Sequence, residues 1–420
     1  MVNEWIFHIC RNLLRLPVGI IFRKIHFENE DNFPKDAPVL VACNHPNSFL
    51  DGVVFEHISG KRIYTLTRGD TFLKPLPNYI LRGMRLLPIF RSRDAAAHVA
   101  RKGNAQTMEE VYEHFKINHS ILIFTEGNSY PEKAVRRLKN GTGNMAVDMM
   151  KRSDFTLDLY VLPTALNYSE FGTLMQTVHV TYGTPIRLLD HVDEIKADER
   201  SFGNWVTSKV QENFDENVVI TKGGYTEEKE FLHRLMINEN YRPLAFKTLK
   251  TWKLSIAKAN QMGEDLASKV QTYMASLKKH KVGDANVSSR SFDVLSVLVA
   301  LLTAGVSFPI YVVWVIAWWG IDKLVKSKIR NIVFHDSIKV GSAMVMGLII
   351  MIATFVTLSV WSSGIILFIL GTLGIYGSIC WYRLVDTLPY LRDELRWKSI
   401  SDETRQSIVA QREAIVSDLS

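Results

Sequence analysis

An imidazole takes up a proton near neutral pH, and a neighbouring carboxylate fixes its tautomer and stabilises the imidazolium that forms. His45 and Asp51 are such a pair by type, separated by the five residues Pro46 to Leu50 in Asn44-His45-Pro46-Asn47-Ser48-Phe49-Leu50-Asp51. The same residues have a second reading. Ser48 stands three positions before Asp51, the spacing of a helix capping box, in which Asp51 would only complement a helix N-terminus and His45 would only end a strand. On this stretch alone both readings are open. Two further polar clusters follow apolar runs: Arg91-Ser92-Arg93-Asp94 and Thr125-Glu126-Gly127-Asn128-Ser129. Arg136, Arg137 and Lys139, just before Asn140-Gly141-Thr142-Gly143, suit an anionic group such as phosphate, and equally a solvated basic face turned to anionic lipid. Arg68 and Lys74 are read as facing water, and Asn44 as fixing its loop through hydrogen bonds to the backbone.

Short apolar runs must position these residues. Val39 to Cys43, Arg62 to Leu66, Leu86 to Phe90, Ile121 to Phe124 and Leu159 to Leu162 read as strands, with helical segments such as Ala95 to Lys116 and Gly141 to Lys151 between them. The alternation predicts an α/β domain with a mixed or parallel sheet flanked by helices. Three of these strands release polar, chemically capable residues at their C-terminal ends, where open α/β sheets place ligands.

The remainder of the chain frames the domain. Its 420 residues are 47% hydrophobic and 22% charged, so it is a folded protein, and a formal charge of +7 suits an anionic partner. Three distant cysteines, Cys10, Cys43 and Cys380, make neither a disulfide framework nor a zinc site. No charged residue occurs from Val294 to Ile321 or from Val340 to Tyr382. The second run is long enough for a transmembrane hairpin turning at Trp361-Ser362-Ser363-Gly364, and the first, split by Pro309, reads as a kinked span or a re-entrant segment. Every flank of the two runs is basic, which predicts an integral membrane protein whose flanks and His45 share the cytosolic side. The expected organisation is an amphipathic interfacial anchor over 1–26, a catalytic domain over 27–241, and a helical connector over 242–290. A membrane domain over 291–385 and a helical tail over 386–420 follow. The apolar spans carry no Asp, Glu, Lys, Arg or His to line a pathway, against a channel or transporter, and no recognition motif supports a nucleic-acid partner. A membrane scaffold without enzymatic activity would need none of the polar loops.

From about Phe27 to Pro185 the sequence resembles the membrane-associated glycerolipid acyltransferases. Four blocks carry the resemblance in order: Asn44 to Asp51, Leu87-Pro88-Ile89-Phe90-Arg91, Phe124-Thr125-Glu126-Gly127-Asn128-Ser129 and Val161-Leu162-Pro163. The resemblance implies acyl transfer in phospholipid synthesis, from acyl-CoA or acyl carrier protein to glycerol 3-phosphate or a lysophospholipid. The donor is a substrate, and neither cofactor nor metal is implied. His45 would be the base and Asp51 its partner. Arg91, Glu126, Gly127, Ser129, Arg136 and Arg137 would contact the acceptor, Gly127 by allowing close approach of the backbone. The chain departs from the family in two places. Five residues separate His45 from Asp51 where most members have four, and Thr125 and Asn128-Ser129 stand where proline and arginine are common. With no basic residue in Phe171 to Thr177 either, a phosphate-free acceptor such as an amino-acid lysolipid is the alternative.

Overall fold

A strand with no polar residue needs cover on both faces, and Val39–Cys43 (β2) has it, since all five of its residues are buried. The computed structural model describes residues 4–56, 62–91, 96–171, 176–238, 249–288 and 392–419, with scattered positions between 298 and 342. The chain divides into two compact units, 1–218 with 329–344, and 219–328 with 345–420.

In the first unit β2 lies in an eight-stranded mixed sheet. The other strands are β1 (Phe22–Glu28), β3 (Ile63–Arg68), β4 (Leu86–Ile89), β5 (Ser120–Phe124), β6 (Tyr160–Tyr168), β7 (Gln176–Tyr182) and β8 (Ile186–Arg187). The order is β1-β7-β6-β2-β5-β3-β4, with β8 also on β6. β6, β2, β5, β3 and β4 run parallel, and β7 pairs antiparallel with β6. From β2 the chain leaves toward β3 through helix α2 (Phe49–Glu56), while from β5 it leaves the other way, toward β6, through α5 (Gly141–Arg152). The two connections thus run in opposite senses past adjacent parallel strands, and His45 and Glu126 follow the carboxyl ends of those strands, where open α/β sheets place ligands.

Helices α3 (Pro75–Gly83), α4 (Ala97–Lys116), α6 (Val192–Ala197) and α7 (Glu199–Asn217) complete the cover. The stretch 1–26, expected as one amphipathic segment, is divided between two elements. Helix α1 spans Glu4–Ile21, and Phe22 already begins β1, which pairs parallel with β7. The alternation in Phe22–Glu28 is that of an edge strand, and its apolar residues extend the preceding amphipathic pattern smoothly enough to disguise the change of period. Phe7 is buried under the Arg85 guanidinium, 3.5 Å from the ring centroid, and Glu4 pairs with Arg85 and Arg62, while Trp5 and Ile9 are exposed.

The second unit is helical: α8 (Thr226–Asn238), α9 (Leu249–Asn260), α10 (Glu264–His280), α11 (Asp284–Val287) and a C-terminal helix, Asp402–Leu419. The boundary expected at 241 falls instead at 218. Leu232, Leu235 and Ile237 of α8 pack with Trp252 and Tyr273 in this second core, so α8 belongs to it and not to the sheet. The expected membrane runs 294–321 and 340–382 fall, but for isolated positions, outside the described residues. Among the described residues no helix is long and apolar enough to cross a membrane.

Candidate active site

The loop after β2 is held from both sides. β6 overruns β2: its first five residues pair with Val39–Cys43, and Asn44 then takes over the exposed edge. The Asn44 amide donates to the Leu166 carbonyl at 3.0 Å and accepts the Leu166 N–H at 2.7 Å, which fulfils the expectation of a structural role. The His45 N–H donates to Glu126 Oε1 at 2.9 Å, its carbonyl accepts the Tyr130 N–H, and its ring stacks on Phe124 with centroids 4.0 Å apart.

Asp51, in the first turn of α2, is fully buried. Its Oδ2 accepts from His45 Nδ1 and from the Asn47 N–H, each at 2.8 Å, and its Oδ1 accepts the Tyr168 hydroxyl at 2.6 Å. Three donors suit an ionised, acceptor-only carboxylate. No capping box forms. The Ser48 N–H that Asp51 would have capped donates instead to Ser129 Oγ at 2.8 Å, and Ser48 sits at φ 53, in the left-handed region. In the tautomer with the proton on Nδ1, directed at the carboxylate, Nε2 keeps the lone pair, and His45 lines a cleft.

That cleft has a volume of about 560 Å³. Phe49, Val53, Leu66, Met84, Leu86 and Ile123 make much of it apolar, and His45, Arg68, Arg91 and Lys139 bring polar groups to it, so that Arg68, expected to face water, stands at the cleft wall paired with Asp70. A concave apolar space with a few convergent polar groups is the usual form of a small-molecule site.

The expected acceptor residues are distributed unevenly around it. Arg91 lines the cleft and is half-buried, its Nη1 donating to the Gly127 carbonyl at 3.1 Å and Asn128 Oδ1 at 3.2 Å. Gly127 has φ +69, a conformation that favours glycine, and a Cβ there would lie 3.1 Å from Lys139 Nζ. Ser129 lines the cleft while accepting from Ser48. Glu126 stands behind His45. Burial pushes its carboxyl above the ordinary carboxylate range, with the Asp51 charge adding to the effect and the hydrogen bonds from the backbones of His45 and Arg136 opposing it. Arg136 turns outward, ion-paired with Glu132 and with its guanidinium 3.6 Å from the Tyr130 ring centroid. Arg137 is exposed, and neither arginine lines the cleft. Ser92, Arg93 and Asp94 lie outside the described residues.

Two contributors escape a reading of the sequence alone. Tyr168 reaches Asp51 from 117 positions away, and Asn104 of α4 clamps the backbone N–H and carbonyl of Phe90, fixing the strand end that presents Arg91. No local pattern marks either.

Residues 24–167, from within β1 nearly to the end of β6, match the family model described as Acyltransferase. The chain carries an acyltransferase domain. It is an enzyme of that class, and the loop after β2, the strand ends and the cleft all lie in that domain. A solved structure similar to part of the chain is the 1-acyl-sn-glycerophosphate (LPA) acyltransferase PlsC from Thermotoga maritima. It is 17% identical, with 45% of this chain and 71% of that chain covered and a TM-score of 0.30. No curated protein matches the chain.

Proposed function

We propose that the acyltransferase domain moves a fatty acyl chain from a thioester donor, acyl-CoA or acyl carrier protein, to the hydroxyl of glycerol 3-phosphate or a lysophospholipid. The observation that carries this reading is the His45–Asp51 pair at 2.8 Å on the wall of a largely apolar cleft that also holds Arg91 and Lys139. His45 Nε2 takes the proton of the acceptor hydroxyl as the oxygen attacks the thioester carbonyl, and Asp51 stabilises the imidazolium. The new C–O bond forms, the C–S bond breaks, and the imidazolium returns its proton to the departing sulfur. The apolar part of the cleft takes the acyl chain. Arg91 and Lys139 hold the acceptor's phosphate. Arg136 and Arg137, directed away, serve the surface.

The bilayer is the proposed partner. Leu73, Leu76, Tyr79 and Ile80, on and beside α3, are exposed together with Trp5 and Ile9 of α1, and the cleft residues Met84 and Leu86 follow α3 directly. An apolar face beside the apolar end of the cleft suits substrates drawn from lipid.

The test is a screen of hydroxyl acceptors against a labelled acyl-CoA. Free thiol should appear only with a glycerol phosphate or lysophospholipid present. Release with phosphate-free amino-acid lysolipids alone would move the assignment to that acceptor class, and no acceptor-dependent release from either acyl-CoA or acyl carrier protein would overturn the enzymatic reading.

A further inference from the structure

The edge of β6 that extends past β2 carries more than Asn44. Two residues beyond Leu166, at the tip of the overhang, stands Tyr168, only 2% exposed and packed near Phe22 and Phe171 with ring centroids 6.2 and 5.6 Å away. Its backbone is fixed as well. It is in register with Val178 of β7, and its carbonyl accepts Lys133 Nζ at 2.8 Å. A ring held on all these sides delivers its hydroxyl to one place, Asp51 Oδ1 at 2.6 Å.

We infer that Tyr168 is a positioning residue for acyl transfer, acting on His45 through Asp51. The inference rests on the proposed role of His45 as base. A carboxylate turns about its Cβ–Cγ bond, and because its two oxygens are equivalent a half turn restores the same contacts, whereas any lesser turn carries the acceptor out of line with His45 Nδ1. With Tyr168 on Oδ1, and Asn47 N–H and His45 Nδ1 on Oδ2, such a turn breaks a buried hydrogen bond to a charged group. The phenol therefore fixes the plane of the carboxylate, and so the direction in which Nε2 meets the acceptor hydroxyl. Being neutral, it leaves the carboxylate charge intact to balance the imidazolium. The geometry is built from residues remote in sequence, and β6 places the phenol because it is four residues longer than its pairing with β2 requires.

The test is a double-variant cycle on the full chain, reading acceptor-dependent thiol release. Tyr168→Phe keeps the ring between its aromatic neighbours and removes one oxygen, and far-UV circular dichroism and the thermal midpoint verify the fold. kcat should fall about tenfold, the scale of one buried hydrogen bond to a charge, with KM for donor and acceptor unchanged. In an Asp51→Asn background the same substitution should cost nothing further, because its route to His45 is already gone. An active Tyr168→Phe with the parent kcat, or losses that multiply in the double variant, would overturn the inference. His45→Ala is the separating arm. If it abolishes transfer while Tyr168→Phe behaves as the parent, only the role of Tyr168 fails, whereas an active His45→Ala removes the base reading beneath it.

Discussion

A phosphate dianion taken into a half-enclosed cleft needs more than one cation close by, because a lone partner leaves much of its charge uncompensated. Arg91 and Lys139 line the cleft, with Arg68 paired to Asp70 at its wall, while Arg136 does not line it, being ion-paired with Glu132 and stacked on the ring of the cleft residue Tyr130. Lys139→Ala should therefore raise KM for glycerol 3-phosphate about tenfold or more, as loss of a charged hydrogen bond does, with the acyl-donor KM nearly unchanged. Arg136→Ala should leave both within about twofold, since an exposed ion pair contributes little. Steady-state kinetics against each substrate checks this, and a larger effect from Arg136 would contradict the placement. Arg136, Arg137 and Lys139 were visible in the sequence as one cluster and could not be ranked there, because a loop has no periodicity to say which side chain turns inward. His45 and Asp51 were likewise visible as a pair. What separates the base from the capping box is the company of Ser129 and Tyr168, 81 positions from Ser48 and 117 from Asp51.

Elements place these residues through close packing. Helix α5 starts directly after the loop bearing Lys139 and crosses α7 so closely that a Cβ on Gly143 would lie 1.9 Å from the Gly203 carbonyl oxygen. On the other side, a Cβ on Gly203 would come no nearer than 3.3 Å to Asn144 Oδ1. Gly143→Ala should thus destabilise the domain by about 3 kcal/mol, since the obstacle is backbone. It should also raise KM, because Gly141 and Thr142 at the start of α5 line the cleft. Gly203→Ala should cost about 1 kcal/mol or less, a side-chain amide being able to move. Urea unfolding of both variants gives the comparison, and equal losses would contradict it. At this scale much was legible. β2 falls on its expected residues, and α4 and α5 within two residues of theirs, because long helical periods and dense apolar runs carry strong signals. β1 and β7 were not recognised. They form the end of the sheet that runs against β6, and such pairing is set by tertiary partners more than by local pattern.

The second unit constrains the whole chain. Its core joins Ala267, Val270 and Tyr273 of α10 to Ile408, Ile415 and Leu419 of the C-terminal helix. Asn286 Nδ2 donates to Glu394 Oε2 at 3.1 Å, and Arg412 Nε to Asp284 Oδ1 at 2.9 Å. The residues before and after the two apolar runs thus share one folded core. If the two apolar runs enter a bilayer, their outer flanks are expected to lie on one side of it. Single cysteines at the exposed Lys279 and Lys398, in a chain with Cys10, Cys43 and Cys380 replaced, should react alike with an impermeant thiol reagent in intact cells. Labelling of one and not the other would break this account. The packing of 402–419 against α10 was not legible in the sequence, because it depends on contacts across more than a hundred residues.

The central claim is that His45 is the base for acyl transfer, and thiol release by purified His45→Ala, with and without acceptor, tests it most directly. The side chain is 19% exposed and stands in a loop, so membrane association and thermal midpoint should stay near those of the parent. Acceptor-dependent release should fall by roughly 10²- to 10⁴-fold or more. A folded His45→Ala that keeps most of its turnover would contradict the account, and with it the roles given to Asp51 and Tyr168.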